Sequence, residues 1–181
     1  MKRFFLIALM LFTVVGTHAT TRAYSIYPKN FHEIDEGVYR SGQPTREEML
    51  SLKDIGFNTI INLRMSVGNK RKIKGTRMVQ IRVPMKAQSI TFKDMAITLR
   101  FIMHAQKPML IHCLHGSDRA GCVVACYRMV FQNWKKEKAI SEFQEEKYGY
   151  NKKWFPNILE FLNKLDVELL KQRVLTDSFG E

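Results

Sequence analysis

Residues 108–121 read Pro-Met-Leu-Ile-His-Cys-Leu-His-Gly-Ser-Asp-Arg-Ala-Gly. Pro108 opens a short apolar run, Met109-Leu110-Ile111-His112, with the length and composition of a buried strand. From Ala120 to Gln132 the chain is strongly helical and mostly apolar. Between these two segments the backbone must curl, and Gly116 permits conformations that other residues resist. Such a curl, ending at a helix N-terminus, directs several N–H groups inward and forms an anion cradle.

Working outward, Val38-Tyr39-Arg40-Ser41 reads as a strand broken by Gly42-Gln43-Pro44. Thr45 and Glu48 have capping-box spacing, which predicts a helix to about Ile55 with Gly56 as its stop. Thr59-Ile60-Ile61-Asn62-Leu63 is a compact strand, and residues 68–77 form a basic, glycine-containing loop. Val79, Ile81 and Val83 alternate as a half-buried strand does, and Pro84 ends it. Residues 91–105 suit an amphipathic helix, and two further helices are expected over 135–147 and 155–171. Strands alternating with helices imply one α/β domain: a central, mostly parallel sheet of about four to five strands flanked by helices. In such sheets ligands bind beyond the carboxyl ends of the strands, where Cys113 falls.

The cradle's field favours thiolate over thiol at Cys113. Arg119, six residues on, has a planar guanidinium able to grip two phosphate oxygens. Attack of Cys113 on phosphorus would give a cysteinyl-phosphate, which water then hydrolyses. His112-Cys113, Gly116, Arg119 and Gly121 resemble the His-Cys-x5-Arg signature of protein tyrosine and dual-specificity phosphatases. Tyr39-Arg40-Ser41-Gly42-Gln43-Pro44, Ile61-Asn62-Leu63-Arg64, Val83-Pro84-Met85-Lys86-Ala87 and the Tyr127-Arg128 and Trp154 regions extend the resemblance. They look like an exported bacterial subgroup, over roughly residues 31–165. The resemblance implies a cysteine-based phosphatase fold. It implies phosphate binding by Leu114, His115, Gly116, Ser117, Asp118 and Arg119, with His112 orienting the loop. No cofactor is implied.

Two positions depart from that pattern. Ala120 stands where many members carry a hydroxyl that assists phosphoenzyme breakdown, so slower turnover is expected. The loop after Val83-Pro84, where the family's general acid is expected, reads Met85-Lys86-Ala87-Gln88-Ser89-Ile90 and holds no carboxylate. Asp94 and Asp118 are the remaining candidates. Thr91-x-x-Asp94 also fits a helix start, where an acid stabilises the first turn. Asp118 has loop or water ordering as its other reading.

The chain's 181 residues carry a net charge of +12, with 45% hydrophobic and 25% charged residues. That balance suits a folded domain and acidic partners. Those partners are a phosphorylated protein or another phosphomonoester, with an anionic lipid or inositol phosphate as further candidates. No nucleic-acid motif is visible. The run Lys70-Arg71-Lys72-Ile73-Lys74 with Arg77 reads as a solvated loop or a substrate contact. His112, Cys113 and His115 lack a second ligand pair, so no metal is expected. Cys122 and Cys126 sit four apart in an apolar helix and suit a core rather than a disulfide. The aromatics Phe143, Tyr148, Tyr150, Trp154 and Phe155 are expected to pack the last helices, with one or two at the pocket rim.

Lys2 and Arg3 precede a run of about thirteen mostly apolar residues and then small ones, the layout of a secretory signal peptide. Cleavage is expected after Ala19 or Ala23, leaving no membrane span. The expected organisation is signal peptide 1–19, leader 20–30, phosphatase domain 31–172 and tail 173–181. Export implies a periplasmic or secreted location. The function expected is hydrolysis of phosphomonoesters, first of protein phosphotyrosine with dual specificity. The rival readings are an inositol phosphate or phosphoinositide phosphatase, and a pseudophosphatase that binds phosphorylated ligands.

Overall fold

The computed structural model describes residues 26–65 and 68–176. The expected signal segment lies outside them, as does the end of the expected tail. Five strands form one sheet: β1 (His32–Asp35), β2 (Val38–Ser41), β3 (Thr59–Asn62), β4 (Val79–Arg82) and β5 (Met109–His112). Their order is β1-β2-β5-β3-β4, with β1 antiparallel to β2 and every other pair parallel. β5 is therefore central and buried on both faces, which explains its continuous apolar sequence.

Helices cover both faces. On one side α1 (Arg46–Asp54) and the single turn α2 (Lys70–Ile73) lie over Ile60 and Leu110, closing a small core with Met49, Leu52, Phe57 and Met78. On the other side Val38, Ile61, Met109 and Ile111 meet α3 (Phe92–His104) and α4 (Asp118–Phe131). The two sets alternate along the strands, as a period of two requires. α5 (Lys136–Phe143), α6 (Pro156–Lys164) and α7 (Val167–Leu175) complete that second layer.

The capping box of α1 forms as its spacing predicts: Thr45 Oγ1 accepts from Glu48 N, and Glu48 Oε2 accepts from Thr45 N at 2.7 Å. Three readings change. The helix expected over 155–171 is two helices. Asp166 Oδ1 accepts from Leu169 N at 2.9 Å and starts α7, which runs to Leu175, while Leu165 closes α6. The helix expected over 135–147 ends at Phe143, followed by a separate 3-10 turn at Glu146–Tyr148. β4 is an edge strand, so Val79 is 57% exposed, and only Ile81 and Val83 turn inward.

Register fixes the site. Ser41 and Asn62 both pair with His112, so β2, β5 and β3 end on one rung. Cys113 is the first residue beyond that rung on the central strand. The chain there passes between β2 and β3, where the connections diverge to opposite sides and a crevice opens.

Candidate active site

The loop 113–119 closes on itself. Gly116 N donates to Cys113 Sγ at 3.2 Å. Gly116 holds φ at +81°, and a Cβ there would meet Ser41 C at 2.5 Å and Gly42 N at 2.6 Å. Only glycine allows the loop to lie this tightly on the end of β2. Gln43 N donates to the Leu114 carbonyl at 3.0 Å, a second seam between β2's exit and the loop. Cys113 itself is buried.

Arg119 emerges from the first turn of α4. Its Nη1 reaches the carbonyls of Leu63 and Met85 at 3.5 and 3.4 Å, both long contacts. Its Nε is buried and has no hydrogen-bond partner among the described residues. A guanidinium with a buried unsatisfied donor in the first turn of a helix suits a tetrahedral oxyanion with several acceptor oxygens.

Behind the loop, His112 is fully buried within a directed polar chain. Arg64 Nη1 donates to Gln43 Oε1 at 3.0 Å, Gln43 Nε2 to Asn69 Oδ1 at 2.9 Å, and Asn69 Nδ2 to His112 Nε2 at 2.7 Å. His112 Nδ1 lies 3.1 Å from the Cys113 carbonyl. An arginine only donates and a carbonyl only accepts, so both ends of the chain are fixed. The imidazole is therefore neutral with its proton on Nδ1. Burial pushes its pKa down to about 4, in agreement.

Asp94 and Asp118 separate clearly. Asp94 Oδ2 accepts from Thr91 N at 2.9 Å and Thr91 Oγ1 at 2.8 Å, completing the capping box of α3. Asp118 is buried beside Arg119, and its Oδ1 accepts from Asn151 N at 3.2 Å. Burial raises its pKa above the ordinary carboxylate value, against hydrogen bonds from Asn151 and its own backbone.

That contact hangs an exposed turn, residues 151–154, on the loop. Lys152 and Lys153 are exposed, and Trp154 is 68% exposed. Of the expected packing aromatics, Phe143 and Tyr148 are buried, Tyr150 and Phe155 pack against the core, and Trp154 stands out. Asn30 braces the same region, donating to the carbonyls of His115 at 3.1 Å and Tyr148 at 3.0 Å. On another flank, Lys29, Gln43, Thr45, Glu48, Leu114 and His115 line a cavity of about 320 Å³.

The basic run is a single helical turn rather than a loop. Lys72 donates to the Pro44 carbonyl at 2.7 Å, while Lys70, Arg71, Lys74 and Arg77 are exposed. Asn69, next in sequence to this run, is the residue that touches His112. Cys122 and Cys126 are free and buried in the core. Among the described residues no group of His, Cys, Asp and Glu is set to hold a metal, and no helix is long and apolar enough to cross a membrane.

Sequence reasoning gives no site role to Arg40, Gln43, Asn69 or Asn30. Arg40 and Gln43 carried a signal as members of the stretch Tyr39 to Pro44 that extends the resemblance, and Arg40 a second one, a charged residue in a four-residue strand beside buried positions. Asn69 carried almost none, being one polar residue at the start of a basic run.

A mostly parallel sheet whose central strand delivers Cys-x5-Arg into a helix N-terminus defines a cysteine-dependent phosphatase. The model of the tyrosine phosphatase family matches residues 25–179, and the chain belongs to that family. It is 30% identical over 158 residues to the inositol diphosphatase DSP3 of Arabidopsis thaliana, covering 82% of this chain and 76% of that protein. It is 27% identical over 138 residues to the dual specificity protein phosphatase TpbA of Pseudomonas aeruginosa, covering 74% and 62%. In fold it is similar to TpbA solved with phosphotyrosine (TM-score 0.75, 22% identity, 82% and 91% covered). The catalytic core of the Saccharomyces cerevisiae phosphatase SIW14 is likewise similar (TM-score 0.70, 24% identity, 81% and 91% covered).

Proposed function

We propose that this phosphatase acts through Cys113 on protein phosphotyrosine, with dual specificity toward other phosphorylated side chains. The observation that carries the mechanism is the pairing of Gly116 N–H with Cys113 Sγ in the same loop that ends on the unsatisfied Nε of Arg119. The thiolate attacks phosphorus while Arg119 and the loop amides of residues 114–119 hold the equatorial oxygens. The ester P–O bond breaks as the P–S bond forms. Asp118, whose pKa burial raises, gives its proton to the departing oxygen. Water then attacks the cysteinyl-phosphate, Asp118 accepts its proton, the P–S bond breaks and inorganic phosphate leaves. Asp94 serves α3 instead. His112, neutral and donating to the Cys113 carbonyl, orients the loop.

The substrate reading is supported by the relative named a dual specificity protein phosphatase and by the similar structure that holds phosphotyrosine. A second reading, inositol diphosphates, is favoured by relatives of that name at 30–31% identity and by the exposed Lys152 and Lys153 of the turn whose Asn151 N donates to Asp118. Phosphate release from a phosphotyrosine peptide, an aryl phosphate and an inositol diphosphate, with Cys113→Ser as control, separates the two. A kcat/KM preference for the peptide supports the first, and a preference for the inositol diphosphate replaces it with the second. The basic and apolar start of the chain further supports export through a cleaved signal, giving a periplasmic or secreted enzyme. Fractionation of cells with N-terminal sequencing of the mature chain tests it, and an uncleaved cytosolic chain would refute it.

A further inference from the structure

Arg40 lies on β2 opposite Ile111, one position before the rung that ends the sheet. It is 1% exposed, among the most buried side chains of the molecule. Its Nε and Nη2 donate to the Gly116 carbonyl at 3.2 and 2.5 Å, and Nη2 also donates to the Ser117 carbonyl at 3.2 Å. Its guanidinium stacks on the Tyr148 ring, 4.6 Å from the centroid. Gly121 leaves the room it needs, since a Cβ there would lie 3.0 Å from Arg40 Nη2.

No carboxylate pairs with Arg40 among the described residues. Glu142, which lies within its field, is held by Arg128 through two bonds of 2.7 and 2.9 Å. Buried charges are ordinarily paired, because neutral acceptors offset only part of the lost hydration. The groups acting on Arg40 are Cys113, Tyr148 and Glu142, which favour its charge, and Arg128, which opposes it along with burial. Glu142 is thus taken by Arg128, whereas Cys113 Sγ accepts from Gly116 N, on the same residue whose carbonyl Arg40 holds.

The hydrogen bonds have a second consequence. In a trans peptide the C=O and the following N–H point in opposite directions. Arg40 holds the Gly116 carbonyl and shares the Ser117 carbonyl with Gly121 N of α4, which donates to it at 2.9 Å, so the N–H groups of Ser117 and Asp118 point away from Arg40. We infer that Arg40 is a positioning residue and the buried counter-ion of the Cys113 thiolate: it turns two loop amides toward the bound phosphoryl group and offsets the sulfur's charge from behind. This rests on the phosphatase reading above.

The test uses the full mature chain with Arg40→Gln and Arg40→Lys. The pH dependence of Cys113 alkylation by iodoacetamide, mapped by peptide mass, reads the thiolate without turnover. Vanadate inhibition of aryl phosphate hydrolysis reads the cradle. In Arg40→Gln the alkylation midpoint moves up by about one pH unit or more, equivalent to tenfold in the thiolate equilibrium, and vanadate binds at least about tenfold more weakly. In Arg40→Lys the midpoint stays near wild type, because the charge is kept. Vanadate still binds more weakly, because an ammonium lacks the planar fork that spans both carbonyls. Equal midpoints in folded Arg40→Gln and wild type would overturn the counter-ion role. Unchanged vanadate binding in Arg40→Lys would overturn the positioning role, and that variant carries the test if Arg40→Gln does not fold. Failure of the phosphatase reading would look different: wild-type Cys113 would show no vanadate protection from alkylation.

Discussion

Asn69 donates its side-chain amide to His112 Nε2 across 2.7 Å, and so the start of a basic surface turn is wired to the residue preceding Cys113. Removing the amide in Asn69→Ala leaves a buried ring nitrogen without a partner, a cost of about 1–3 kcal/mol. The ring is then free to change tautomer and release the Cys113 carbonyl. The expected result is a fall in kcat/KM of at least about tenfold, beyond what the stability loss explains at a temperature where the variant stays folded. Urea unfolding beside steady-state kinetics checks it, and unchanged kinetics would show the relay to be structural only.

His112 also sets a pH dependence of stability. Its folded pKa of about 4 lies below its ordinary value of 6.5, so the unfolded chain binds a proton that the folded one excludes. Its contribution is therefore complete above about pH 6.5 and declines as pH falls toward 4, by about 3 kcal/mol in all. Comparing urea unfolding of wild type and His112→Gln from pH 4 to 7.5 should show the wild-type advantage shrinking on the acid side. A constant difference across that range contradicts a buried neutral imidazole.

Gly116→Ala tests the seam between β2 and the loop. The added Cβ would lie 2.5–2.8 Å from backbone atoms of Ser41 and Gly42, and backbone cannot swing aside as a side chain can. With the positive φ, this should cost more than about 1–3 kcal/mol and abolish activity. Gly56→Ala, also at positive φ but with open space around it, isolates the conformational part and should leave kcat unchanged. Thermal melts and aryl phosphate turnover of both variants decide the matter.

The two carboxylates predict opposite outcomes. Asp118→Asn should remove the basic limb of the kcat–pH profile and slow esters with poor leaving groups far more than an activated aryl phosphate. Asp94→Asn should keep the profile and lose about 0.5–2 kcal/mol of stability through the broken capping box. A preserved basic limb in Asp118→Asn would remove it from the mechanism.

Much of this was legible in the sequence because single residues dictate local geometry. Thr45 with Glu48 and Thr91 with Asp94 announced two helix starts, and the Met109-to-His112 run announced the central strand. The contributors that stayed hidden act across the chain. Asn30 is 85 positions from the His115 carbonyl it holds, and Arg40 is 76 from Gly116. Their roles follow from the register that brings Ser41 and Asn62 to His112, and no local pattern encodes that. The break before Asp166 was missed for a different reason: the apolar spacing continues across it, and only the Asp166 carboxylate marks the new start.

Ala120, directly after Arg119, is fully buried in the core and stands where the sequence pattern leads one to expect a hydroxyl that assists phosphoenzyme breakdown. Ala120→Thr should speed hydrolysis of the cysteinyl-phosphate and shrink the burst relative to the steady state in stopped-flow assays. An unchanged burst would mean that the second step is already fast.

The most direct measurement is acid quench of a single turnover with an aryl phosphate, followed by peptide mass mapping. One phosphoryl group on the peptide bearing Cys113, absent in Cys113→Ser together with all turnover, is the predicted result. Phosphate release that survives Cys113→Ser, or a phosphoryl group on any other residue, would contradict the account.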